Sequence, residues 1–88
     1  MNMIQAIFTI HTDQLPANFP EIIQHEQEAV AAWKKEGIIE HLFLRPTKNG
    51  AVIIFNSDDE AHVQGLMETL PLYPFVKSIE YLPLIKQF

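Results

Sequence analysis

The sequence contains no cysteine, only three glycines and no apolar run long enough to cross a membrane. Without cysteine there can be no disulfide, no thiolate zinc site and no cysteine nucleophile. A membrane helix needs roughly 18 consecutive apolar residues, and the amino terminus lacks the basic and apolar regions of a secretory signal. Phosphate-cradling glycine loops and nucleotide fingerprints are absent as well. We therefore expect a cytoplasmic protein that contacts no membrane.

Positive charge and metal ligands are also scarce. Six Lys and Arg residues against eleven Asp and Glu residues give a net charge of −5. The basic residues form no stripe that could follow a phosphate backbone, so we expect no nucleic-acid partner. The four histidines include no pair at i, i+4 and no His-Glu-x-x-His motif, so we expect no metal site. Nothing in the sequence predicts a cofactor.

What is present is the composition of a folded domain, with 48% hydrophobic and 19% charged residues in 88. A chain of this length predicts a single domain over residues 1–88 that buries only about 60% of its unfolded surface. Such a domain is marginally stable alone, and it has no disulfide to compensate. We therefore expect it to associate with itself.

The first half of the sequence predicts a strand followed by a helix. Apolar and other residues alternate from Met3 to Ile10, which is typical of a strand. Asn18 followed by Glu21 resembles a capping box, so a helix should begin near Phe19. Its apolar residues recur at helical spacing, and Gly37 provides a left-handed stop.

The second half predicts two strands, a helix and a last strand. Residues 38–45 and 51–55 form a hairpin around Asn49-Gly50, and the second of these strands is apolar on both faces, so it should be central. Residues 57–60 resemble a second capping box, and the buried stripe of the helix is expected to be Ala61, Leu66, Met67 and Leu70. The last strand, 75–84, contains Pro83, which would be tolerated best near an edge or an end. This order predicts an α+β, ferredoxin-like β-α-β-β-α-β fold, with two helices on one face of an antiparallel sheet.

Glu26 is the residue whose position is unusual for its type. At about 100° per residue it falls between Ile22 and Val30, in the middle of the apolar stripe of the first helix. Burying a carboxylate raises its pKa, which is how a general acid or base is tuned to work near neutral pH. Glu26 is therefore a candidate base. The structural alternative is that it pairs with Arg45 or with a buried histidine.

His41 is the second candidate for chemistry. The alternation of the second strand places it on the same face as Ile39, Phe43 and Arg45. An imidazole there could bind a ligand oxygen or donate a hydrogen bond to it. A hydrogen-bonded interior or interface histidine is an equally valid interpretation.

The segment Leu-Pro-Leu-Tyr-Pro-Phe at residues 70–75 resembles the Leu-Pro-Leu-(Phe/Tyr)-Pro motif of the muconolactone isomerase family. Gly37, His41 and Glu26 also fall in register with that family. Gln64 stands where the family has a histidine on the second helix. The alternative is that the motif is structural, since its prolines fix a helix-to-strand turn whatever the activity.

The resemblance implies a dimeric α+β barrel, with dimers or larger rings of subunits, and an activity in aromatic catabolism. That activity is the cofactor-free movement of a proton in an unsaturated lactone or a related carbonyl compound. It implies Glu26 as the base and His41, or a backbone N–H, as the group that steadies the enolate oxygen. We expect the aromatic side chains of Trp33, Phe43 and Tyr73 to bind the substrate.

Two other functional classes stay open at this point. One is a non-catalytic oligomeric domain that binds a small apolar acid or only itself. The other is a cofactor-free monooxygenase or a haem-handling protein on the same fold, since a fold does not fix a function. An accessible cavity with Glu26 in its wall would favour the isomerase.

Overall fold

The computed structural model describes residues 2–13, 15–47 and 49–88. The predicted order of elements and the α+β class are confirmed. The elements are β1 (Asn2–Ile10), α1 (Phe19–Lys35), β2 (Ile39–Leu44), β3 (Gly50–Phe55), α2 (Glu60–Glu68), a 3-10 turn (Tyr73–Phe75) and β4 (Val76–Ile85). Among these described residues, no helix is long and apolar enough to span a membrane.

The four strands form one antiparallel sheet in the order β2-β3-β1-β4. The doubly apolar β3 is central, as predicted, and β4 lies at an edge of the sheet, a position that tolerates Pro83. The strands β2 and β3 pair as the predicted hairpin. The turn between them includes Lys48, which lies outside the described residues.

The core lies between one face of the sheet and the two helices. Alternate residues of β1 and β3 supply the sheet side of this core, and Val30 of α1 with Val63 and Met67 of α2 supply the helix side. Phe55 and Ile53 are fully buried there. Their burial on one face follows from the two-residue period of a strand.

The helix starts show one agreement and one correction. The helix α1 begins at Phe19 as predicted, but Asn18 makes no side-chain capping bond. The cap of α2 is Asp59, and not Ser57 as the predicted capping box implied. The Asp59 carboxylate accepts a hydrogen bond from the His62 N–H at 3.2 Å, which satisfies one of the N–H groups that have no partner within the helix.

The buried stripe of α2 also differs from the prediction at one position. Met67 and Leu70 are buried as expected, and Leu66 is half-buried, but Ala61 is exposed and Val63 is fully buried. The residues buried against the sheet are Val63 and Met67 of α2 and Leu70 just after its end. This spacing of four and three residues is that of one helix face.

Candidate active site

Glu26 lies on the face of α1 that packs against the sheet, and only 7% of its surface is exposed. It is the one charged residue among the buried side chains of the described chain. Burial removes water from the carboxylate and raises its pKa, while a backbone hydrogen bond partly opposes the rise. The position deduced from helical periodicity is therefore where the structure places it.

One hydrogen bond holds the Glu26 side chain. The backbone N–H of Leu72 donates to Oε1 of Glu26 at 3.2 Å. Leu72 lies between α2 and β4, 46 residues further along the chain. Neither Arg45 nor a histidine forms an ion pair with Glu26 among the described residues. The alternative in which Glu26 serves a buried ion pair is therefore not what the structure shows.

The second oxygen of Glu26 is in a different environment from the first. No buried side-chain oxygen or nitrogen of the described residues lacks a hydrogen-bond partner. Because Oε2 has no such partner among the described residues, it retains some accessible surface. Glu26 borders a cavity of about 380 Å³ between α1 and the sheet, and this is the space that Oε2 can reach.

The walls of this cavity are mainly apolar. Its described lining carries two charged side chains, Glu26 and Arg45, together with the amide of Gln27. The remaining lining residues are Phe8, Ile10, Phe19, Ile23, Val30, Leu42, Leu44, Gly50, Ala51 and Leu72. A small organic molecule would thus meet one acid and one cation in apolar surroundings, which is the usual make-up of a ligand site.

Arg45 is positioned by the end of β2. Its backbone N–H donates to the Gly50 carbonyl at 3.1 Å, which closes the hairpin beside the cavity. The guanidinium is always charged and presents several donors in one plane, so it suits a carboxylate or a developing oxyanion. From the sequence alone, the role expected of Arg45 is that of a structural partner of Glu26.

His41 and Phe43 lie on the other face of the sheet, away from Glu26. A bulge in β2 separates Ile39, which pairs with Phe55 on the core face, from His41, which pairs with Ile54. The prediction that His41 shares a face with Ile39 is therefore wrong. Leu42 and Leu44 take the core face and line the cavity.

The bulge at Glu40 has its own hydrogen bonds. The Lys34 ammonium donates to the Glu40 carbonyl at 2.8 Å, and the Asn56 amide donates both to Gly37 O and to the Glu40 carboxylate at 3.1 Å. The Asn56 bond, followed by the charge of Lys34, lowers the pKa of the Glu40 carboxyl. These contacts favour the extra residue that turns His41 to the open face.

Trp33 and Tyr73 do not line the cavity either. Trp33 is half-buried against Phe55, with ring centroids 5.8 Å apart. Tyr73 begins the 3-10 turn and is 37% exposed. The single chain thus brings Glu26 to the cavity and leaves the other four predicted site residues outside it: His41, Trp33, Phe43 and Tyr73.

A second hollow lies at the β2 edge and is larger, at about 460 Å³, but more open. It is bordered by His41, Lys34 and Glu40, and none of these side chains is buried. We place the candidate site in the more enclosed cavity, because only that one contains a desolvated acid. No group of three potential metal ligands occurs within residues 2–13, 15–47 and 49–88.

Comparison with known proteins identifies one family. The family model described as muconolactone delta-isomerase matches residues 3–87. No curated protein matches the chain.

Solved structures share the fold at low sequence identity. A crystal structure of muconolactone isomerase superposes with a TM-score of 0.76 at 20% identity, over 99% of this chain and 91% of that one. A crystal structure of an antibiotic biosynthesis monooxygenase gives 0.62 at 16% identity, over 98% of both chains. The 5-chloro-2-hydroxyhydroquinone dehydrochlorinase from Burkholderia phenoliruptrix, in complex with 2,5-dihydroxybenzoquinone, gives 0.57 at 12% identity over 90% of both.

Proposed function

The chain belongs to the muconolactone delta-isomerase family, and we propose that it is a cofactor-free isomerase that moves a proton within an unsaturated lactone or a related carbonyl compound. The observation that carries this proposal is the Glu26 carboxylate, buried in the wall of an apolar cavity, with Oε1 held by Leu72 and no hydrogen bond to Oε2 from the described residues. The family membership supports the reaction type, and the position of Glu26 supports its role as the base.

In the proposed reaction, ionised Glu26 removes the acidic proton beside the ring oxygen. The electron pair of the broken C–H bond moves into the conjugated system and forms a dienolate. The protonated Glu26 then returns the same proton at the far end of that system, so the product is an isomer and no co-reactant is needed. A carboxyl with a raised pKa suits both steps, since it is a stronger base than an exposed carboxylate and can still release its proton.

Negative charge forms on the substrate during this reaction and needs a partner. His41 lies on the opposite face of the sheet and cannot serve this cavity within one subunit. We propose Arg45 in its place, because it is the one cation in the described lining. Arg45 is exposed at the rim of the cavity, and a cation there would stabilise the charge of the developing enolate.

Glu26→Gln tests the proposal directly. It keeps the shape of the side chain and an oxygen that can accept the Leu72 N–H, but it removes the base. We expect the wild type to isomerise muconolactone and Glu26→Gln to lose at least 100-fold in kcat, as is typical of a removed general base. Glu28→Gln, on an exposed position of the same helix, is the control. Turnover of muconolactone by Glu26→Gln at the wild-type rate would refute the role of Glu26.

The second candidate is a non-catalytic oligomeric binding domain, which would assemble through the open face of the sheet. Phe43 and Leu82 on this face are 56% and 40% exposed, with half-buried Ile7 and Val52 beside them. We propose that a second copy of the chain covers this face, which would remove that apolar surface from water. Self-association of this kind is compatible with either function.

Sedimentation of Phe43→Lys tests this association. A charge within the covered face should shift the protein towards monomer. Phe88→Lys introduces the same charge at a fully exposed position outside any strand and should leave the assembly unchanged. A Phe43→Lys protein with the wild-type sedimentation coefficient would show that the open face is not the interface. An associated wild type that turns over no lactone would favour the binding domain.

A further inference from the structure

The backbone N–H groups of the segment from Thr69 to Phe75 have an unusual set of acceptors. Two of its residues are prolines and have no N–H. Four others donate to the carbonyl three residues earlier: Thr69 to Leu66, Leu70 to Met67, Tyr73 to Leu70 and Phe75 to Leu72. The amide of Leu72 is the one that donates to no backbone carbonyl. Its acceptor is Oε1 of Glu26.

We infer that the Leu72 N–H is the positioning group of the Glu26 base, and that the turn around Pro71 exists in this chain to present that one amide. The inference rests on the proposed function and adds a role for residues 70–75. In this role Leu72 holds Oε1 and leaves Oε2 as the oxygen that takes the proton.

The turn explains why this amide is available. The Tyr73 N–H donates to the Leu70 carbonyl at 3.0 Å, which makes Pro71 and Leu72 the two central residues of a β-turn. Proline suits the first central position because its φ is already fixed. The N–H of the second central residue has no acceptor inside such a turn, so it can point to another element.

The side chain of Leu72 contributes to the same arrangement. Leu72 is 8% exposed and lines the cavity beside Glu26. It therefore keeps water away from the bond that its own amide makes. A charge-assisted hydrogen bond in such surroundings fixes the carboxylate rotamer more firmly than one in water. This bond lowers the pKa of Glu26, which burial raises. That direction is expected of a donor that stabilises the ionised carboxylate.

The first test uses the unmodified protein and needs no substrate. The amide proton of Leu72 should show a pH-dependent NMR shift with the same midpoint as the Glu26 carboxyl carbon. In Glu26→Gln this dependence of the Leu72 amide should be lost, while the Phe75 amide, which donates to a backbone carbonyl, serves as the internal control. A Leu72 amide that does not follow the Glu26 titration would overturn the inference.

The second test removes the donor and keeps the side chain, by replacing the Leu72 amide with an ester. We expect the Glu26 midpoint and the acid limb of kcat/KM to move upward together, and kcat to fall roughly tenfold or more. The matched control is an ester at Tyr73, which disturbs the same turn but leaves the bond to Glu26 in place. Equal effects of the two esters on the Glu26 midpoint would overturn the inference.

These readouts separate the inference from the proposed function. A coupled titration of Leu72 and Glu26 in a protein that turns over no lactone refutes the isomerase and supports the positioning contact. Turnover that depends on Glu26, with no titration of the Leu72 amide, supports the isomerase and refutes the positioning role.

Discussion

Replacing Glu26 by Gln should make the protein more stable at neutral pH and should change how its stability depends on pH. Burial raises the folded-state pKa of Glu26 above the unfolded value of 4.5. At pH values between the unfolded pKa and the folded pKa, the native state binds more protons than the unfolded state. The free energy of unfolding therefore falls as pH rises. The stabilising contribution of protonated Glu26 to the free energy of unfolding is fully present below pH 4.5 and is lost as pH rises through the folded pKa.

The size of the effect is set by one proton. A single group can change the free energy of unfolding by at most about 1.4 kcal/mol per pH unit, and only between its two pKa values. Glutamine does not titrate, so Glu26→Gln lacks this slope. Its side-chain oxygen can still accept from Leu72, so the comparison isolates the charge. The stability of the variant relative to wild type should therefore rise with pH.

Urea unfolding between pH 4 and pH 8 measures this difference. Trp33 is the single tryptophan of the chain and packs against Phe55 in the core, so its fluorescence reports loss of the fold. Protein concentration must be equal in all samples, because self-association also changes apparent stability. Glu28→Gln controls for the loss of one negative charge on α1. A difference between Glu26→Gln and wild type that is constant with pH, or that falls with it, would refute the desolvated state of Glu26.

Three further predictions test the surroundings of the site. Arg45→Met should weaken binding of small carboxylate ligands by about tenfold or more, measured by calorimetry, and should leave a neutral amide analogue unaffected; equal weakening of both ligands would contradict the role of Arg45. Gly50→Ala should cost about 1–3 kcal/mol in urea unfolding, because the new Cβ would overlap the Phe8 carbonyl oxygen, and an unchanged midpoint would contradict this packing. Asp59→Ala should cost about 1 kcal/mol through loss of the bond to the His62 N–H, with Asp59→Asn restoring most of it; a loss that asparagine does not reverse would point to charge and not to capping.

The order of elements could be predicted because it depends on local patterns. Alternation in β1, the helical spacing of α1 and the doubly apolar β3 each specify their own segment. The cap of α2 was placed two residues early because Ser57 and Asp59 are both good capping residues. The sequence does not show which of them faces the first free N–H groups. Which of the two caps α2 depends on the path of the backbone between β3 and α2.

The face of His41 could not be predicted because a bulge reverses the alternation at Glu40. A one-residue insertion in a strand moves every later side chain to the other face. The groups that hold this bulge are Lys34 and Asn56, which lie 6 and 16 residues from Glu40. No local pattern carries that information. The two leucines assigned to the other face, Leu42 and Leu44, consequently form part of the cavity wall.

One part of the candidate site can be predicted from the local sequence, and another part depends on the tertiary structure. Glu26 is visible in the sequence because a carboxylate inside an apolar stripe contradicts its surroundings. Its partner at Leu72 is a backbone N–H. Every residue except proline carries one, so the sequence does not identify it. The fold itself does not decide the chemistry, since structures described as a monooxygenase and as a dehydrochlorinase superpose on this chain. The proposed isomerase therefore depends on the ionisation of one carboxylate. For that reason its pH-dependent stability and its turnover must both change when Glu26 is replaced.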